Sequence, residues 1–137
     1  MTRLALIVAR GELNSLVQVM TLLLAAVSSG LAVSVFFRDE AIYALTREGA
    51  ARLRLSEGYR DQEEAVRARL RAQGLDDLPA LLRQAKELGE ARFYACSSSL
   101  AICGVPPEAL VPEIDGVRGL TAFLLEDVAR ADRVLTF

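Results

Sequence analysis

Leu16-Val17-Gln18-Val19-Met20-Thr21-Leu22-Leu23-Leu24-Ala25-Ala26-Val27-Ser28-Ser29-Gly30-Leu31-Ala32-Val33-Ser34-Val35-Phe36-Phe37 carries only Gln18 as a strongly polar side chain and is long enough to cross a bilayer. Two internal signals divide it. Ser28-Ser29-Gly30 is a helix stop, and Leu31 to Phe37 has the β-branched and aromatic enrichment of a strand. The stretch therefore reads as a buried helix followed by a buried strand, with no membrane span.

Upstream, Leu4 to Val8 is a continuous apolar run of strand length, and Arg10-Gly11-Glu12-Leu13-Asn14 supplies a turn and a helix start. Downstream, Arg38-Asp39-Glu40 marks a surface exit, Ala41 to Leu45 fits a short helical turn, and residues 46–77 are mostly charged. Asp61 to Gln73 has good helix formers but only Ala65, Val66 and Leu70 as apolar anchors, which predicts a largely solvated helix outside the core. Leu78, Leu81, Leu82, Ala85 and Leu88 then recur at helical spacing, with Asp76 or Asp77 as cap, Pro79 in the first turn and Gly89 past the end. Arg92 to Ala95 is a third strand, Ser98 to Cys103 a short helix, and Gly104-Val105-Pro106-Pro107 a break. A short fourth strand is expected between Leu110 and Val117. Gly119 to Ala129 is amphipathic through Leu120, Phe123, Leu124 and Val128, and Arg133 to Phe137 closes the chain as a strand. Strands alternating with helices predict an α/β fold with a mostly parallel sheet of about five strands, covered on both faces and joined by right-handed crossovers.

The 137 residues are a single-domain length, 1–137, enough to bury about two thirds of the unfolded surface without disulfide or metal. The net charge of −2, from 16 basic and 18 acidic residues with no basic block, argues against a nucleic-acid partner. An apolar share of 53% points to a surface buried between subunits. Two cysteines and no signal-peptide pattern predict a reducing, cytoplasmic setting. With no histidine, Ser-His-Asp and Cys-His pairs are excluded, and two cysteines cannot fill a tetrahedral zinc shell, so no metal and no cofactor is expected. No GxGxxG or GxxxxGK[ST] pattern follows the first strand, which leaves dinucleotide and P-loop readings without their motif.

The chemistry-bearing stretch is Tyr94-Ala95-Cys96-Ser97-Ser98-Ser99-Leu100-Ala101-Ile102-Cys103-Gly104. Cys96 lies at the carboxyl end of a strand, where ligands of parallel sheets bind, and before a helix whose first amides would favour a thiolate. The alternative is an inert core thiol. Ser97, Ser98 and Ser99 are candidate helix caps and also candidate donors to a thiolate or bound anion. Arg10 and Arg38 follow strand ends and could share the rim with Cys96; Gly11 joins Arg10 among the candidate binding residues. Cys103, seven positions on, would lie about 10 Å from Cys96 along a helix, beyond disulfide reach, and reads as a packing residue or a second thiol only if that helix breaks.

These features together resemble the DsrE/DsrF-like proteins of sulfur relay, in particular the DsrE2-like branch. The resemblance rests on the Arg10-Gly11 turn, the apolar helix to Gly30 and strand to Phe36-Phe37, the charged middle, and Phe93-Tyr94-Ala95-Cys96 with Ser99 and Gly104-Val105. It implies a three-layer α/β/α sandwich, assembly as a homo-oligomer (trimer or hexamer), and a cysteine at the Cys96 position that carries sulfur as a persulfide between donor and acceptor proteins. The alternatives are a non-catalytic, oligomeric small-ligand-binding module of the same fold, and a thiol peroxidase, for which no second cysteine is well placed to resolve a sulfenic acid.

Overall fold

The computed structural model describes residues 1–137. Five strands, β1 (Arg3–Val8), β2 (Ala32–Phe37), β3 (Ala91–Cys96), β4 (Gly116–Arg118) and β5 (Arg133–Thr136), form one all-parallel sheet in the order β4-β3-β2-β1-β5. Helix α1 (Leu13–Ser28) is followed by Gly30 at φ +84, a backbone angle that only glycine reaches without strain, and then by β2. The apolar stretch of residues 16–37 is thus a helix and a strand, and no helix is long and apolar enough to cross a membrane.

Between β2 and β3 lie the short helices α2 (Ala41–Ala44) and α3 (Arg47–Ala50), then α4 (Glu63–Ala72) and α5 (Leu78–Leu88). Asp77 caps α5 by accepting from the Ala80 amide at 3.1 Å. The charged helix α4 has no fully buried residue, yet it is docked: Val66 and Leu70 pack against the cluster of Leu13, Val17 and Leu55. Beyond β3 come α6 (Ser97–Cys103) and, after β4, α7 (Leu120–Glu126) with a 3-10 turn at Val128–Arg130.

The two faces of the sheet are unequal. β1 through β4 step in one direction, so right-handed crossovers place their connecting helices on a single face. There α1 and α5 pack side by side over Leu6, Val8, Val33, Val35, Phe37 and Phe93, the heart of the main core. The step from β4 back across the sheet to β5 reverses direction, and the same handedness sends α7 to the other face. That face holds a core of only Ala5, Phe36, Cys96 and Phe123. The architecture is the expected three-layer α/β/α, but the second face is only partly covered, because a seven-residue helix and one 3-10 turn cannot span what α1 and α5 span opposite. The expected amphipathic helix through Val128 stops at Glu126 accordingly; Phe123 is its one fully buried side chain, while Leu124 is 43% exposed.

Candidate functional site

β3 alternates its side chains between the faces, so Phe93 and Ala95 enter the main core while Tyr94 and Cys96 point to the second face. Cys96 is the last strand residue and keeps an extended backbone (φ −70, ψ 123), whereas Ser97 is already helical. The cap position of α6 therefore belongs to Cys96 and not, as the serine cluster suggests, to a serine. The thiol is fully buried and belongs to the small core of Ala5, Phe36 and Phe123.

Burial pushes the Cys96 thiol up, but hydrogen bonding to the Ser98 and Ser99 hydroxyls, aided by their amides, outweighs it and brings the pKa down to about 7. The Ser98 hydroxyl lies 3.2 Å from the sulfur. Ser99 is buried and accepts a hydrogen bond from the Asp39 amide at 3.0 Å, which leaves its own proton for the sulfur. Ser97 is exposed, with no side-chain hydrogen bond, and so stands apart from the other two.

Cys103 sits at the far end of an unbroken α6, and both cysteines are free thiols. Its sulfur donates to the Asp39 carbonyl at 3.6 Å, so the two ends of α6 together hold Asp39, the one non-glycine residue at positive φ (+49). Tyr43, hydrogen-bonded to Cys103, is held above its ordinary pKa by that contact and by the neighbouring Cys103, Asp39 and Glu40. Tyr43 and Asp39 escape sequence reading because nothing local marks them.

Of the rim residues, Arg10 is exposed and makes no ion pair. Gly11 has a structural reason to be glycine: a Cβ there would come within 2.6 Å of the Glu40 carbonyl oxygen and 3.0 Å of its carbon, both backbone atoms. Gly11→Ala is expected to destabilise the fold by about 1–3 kcal/mol, read as a lower denaturation midpoint, because the loop after β2 must shift. Arg38 is half-buried, and its Nε is buried without a partner. Phe37 pairs with Ala95, so one further residue along the register puts Arg38 level with Cys96.

Helix α7 covers this part of the second face through Phe123, which shares the small core with Cys96. Phe123 stacks on Phe36 with centroids 4.6 Å apart and lies edge-on to Tyr94 at 6.4 Å. Arg118, level with Cys96 on β4, anchors the helix: its Nη1 is 2.6 Å from Asp127 and 2.7 Å from Glu126, and its guanidinium lies 4.0 Å above the Tyr94 ring. This clamp joins residues that sequence reading left unconnected. No three His, Cys, Asp or Glu side chains converge as a metal shell.

The chain is similar to the solved structure of a protein of unknown function from Methanobacterium thermoautotrophicum, at 14% identity and a TM-score of 0.64, over 98% of this chain and 99% of the other. That likeness supports the fold alone. No curated protein matches the sequence. The model of the DsrE/DsrF-like family matches residues 14–137, which include all of α1 but its first residue, the whole charged excursion, and Cys96 with the serines that hold it. The chain belongs to the DsrE/DsrF-like family.

Proposed function

We propose that the protein is a sulfur-relay carrier that holds sulfane sulfur as a persulfide on Cys96. The observation that carries the proposal is the pairing of a strand-end thiol with the Ser98 hydroxyl at 3.2 Å, a donor that stabilises a thiolate where no histidine exists to activate one. The Cys96 thiolate attacks the outer sulfur of a donor persulfide. A bond forms between Sγ and that sulfur, the donor's S–S bond breaks, and the donor leaves as a thiolate. An acceptor thiolate reverses these steps, so the relay needs no external oxidant or reductant. Arg38, with its unpartnered Nε level with Cys96, favours a negatively charged donor. The free thiols of this scheme require a reducing compartment such as the cytoplasm.

Intact-mass analysis after exposure of the reduced protein to a persulfide donor tests the reading. Wild type and Cys103→Ser are expected to gain one sulfur atom and Cys96→Ser none; loading that survives Cys96→Ser would sink the proposal. Full burial of Cys96 favours a second reading, an assembly module whose thiol only packs. Absence of sulfur on every form would select it. Under either reading we infer a homo-oligomer, because Ile102 (82% exposed) and Leu125 (69% exposed) present apolar surface to water and β5 is an exposed edge. Light scattering with chromatography reads the subunit number.

A further inference from the structure

The second face of the sheet holds a site that the sulfur chemistry does not use. Parallel sheets are ordinarily covered on both faces, yet the amino-terminal half of this one is left open beyond the end of α7. The opening is a groove of about 340 Å³ running across β1, β2, β3 and β4. Its floor is Ser34, half-buried on β2, the middle strand of the sheet, and paired with Arg92 on one side and Ala5 on the other. Arg3, Arg92, Arg118 and Arg130 converge on it from β1, β3, β4 and the 3-10 turn after α7.

The charges in the groove do not cancel. Arg118 is paired with both Glu126 and Asp127, a set that carries one negative charge in excess. Arg92 reaches only Asp115, at 4.0 Å, and that carboxylate is already held by Lys86 at 2.6 Å and by the Phe93 amide at 2.7 Å. The side chains of Arg3 and Arg130 make no ion pair at all. With Glu90, the third carboxylate of the wall, the lining holds four guanidinium groups against three carboxylates, an excess of one positive charge. Like charges gathered round a concave surface repel one another and concentrate anions from solution. Guanidinium groups also match phosphate and carboxylate geometry through paired N–H donors.

We propose that this groove binds a small molecule carrying two or more negative charges, of phosphate or polycarboxylate type, between Arg3, Arg92 and Arg130, with the Ser34 hydroxyl as a floor donor. The site is separate from the Cys96 sulfur, which faces Phe36 and Phe123 beneath α7. It therefore stands or falls independently of the relay reading.

The test is isothermal titration of the full chain, in a buffer free of other multivalent anions and at fixed ionic strength, with pyrophosphate and separately with citrate. Saturable binding of one molecule per chain is expected for at least one probe; pyrophosphate alone identifies a phosphate ligand and citrate alone a polycarboxylate. Arg92→Ala with Arg130→Ala should weaken binding about tenfold or more. Arg60→Ala with Arg69→Ala, an equal charge change on the opposite side of the sheet, should not. Relief of repulsion should leave the unliganded double variant Arg92→Ala, Arg130→Ala at least as stable as wild type. Four results would each overturn the proposal: no saturable binding of either probe, equal weakening in both double variants, a lower thermal midpoint of the unliganded groove variant, or an oligomer that the groove variant dissociates, since a second copy would then fill the space.

Discussion

Phe123→Ala is expected to lower stability by about 3–5 kcal/mol and to speed alkylation of Cys96 about tenfold or more at fixed pH. Both effects follow from one contact. Phe123 is fully buried, is the only such residue of α7, and supplies the stacked partner of Phe36 in a core of four residues. The main core on the opposite face has 25 buried residues and can lose a side chain without losing its helices, whereas α7 has no second anchor of that size. Removing the ring unroofs the thiol and loosens the helix together. Should the alanine variant fail to fold, Phe123→Leu retains part of the packing and should give a smaller rise in alkylation of the same sign. Alkylation unchanged in a folded variant would mean that donors reach Cys96 by a route that α7 does not control.

The second large effect is on pH. Alkylation of Cys96 should rise sigmoidally with a midpoint near its pKa of about 7, and Ser98→Ala should move that midpoint up by about one pH unit, since a hydrogen bond to a charged group is lost. The sign for stability follows from the same shift. The folded thiol titrates below an unfolded one, so the folded state favours the thiolate. Its contribution is fully present above the unfolded pKa, shrinks as pH falls, and is gone below about 7. The denaturant midpoint of wild type should therefore climb between about pH 7 and 9, by an amount on the order of 2 kcal/mol, and that climb should be missing from Cys96→Ser. A flat wild-type profile would show that burial, not the serine hydroxyls, controls the thiol.

The arrangement suits a carrier. A thiolate that is ionised near neutral pH but roofed by Phe36 and Phe123 would be shielded from adventitious oxidants between transfers. Displacement of α7 would expose it. The Arg118 clamp on Glu126, Asp127 and Tyr94 opposes such displacement, because it ties the end of α7 to β3 and β4.

Much of this was legible along the chain. Gly30 separates α1 from β2 because a positive φ is needed there, and the four apolar positions of α5 mark its buried face at helical spacing. Cys96 at a strand end follows from the apolar run of β3 meeting a serine cluster. The position of Cys96 as the helix cap, the link from Ser99 to Asp39, and the engagement of Cys103 by Asp39 and Tyr43 were not legible. The cap is a one-residue choice of boundary within a run of polar and small residues, and the other two join segments about 60 residues apart through loops whose path no periodicity records.

By itself, then, the sequence determined the alternation of elements, the parallel sheet, the absence of a histidine-activated nucleophile and the place of the thiol at the end of β3. These depend on near neighbours: local backbone preference, the spacing of apolar residues, and composition. Tertiary structure alone decided that α7 lies over Cys96, that the second face is half open, and that Arg3, Arg92, Arg118 and Arg130 meet in one groove. Those outcomes depend on strand order and register, and strand order is set by how the whole chain buries its apolar faces under the right-handed crossover rule, a constraint that no single segment carries.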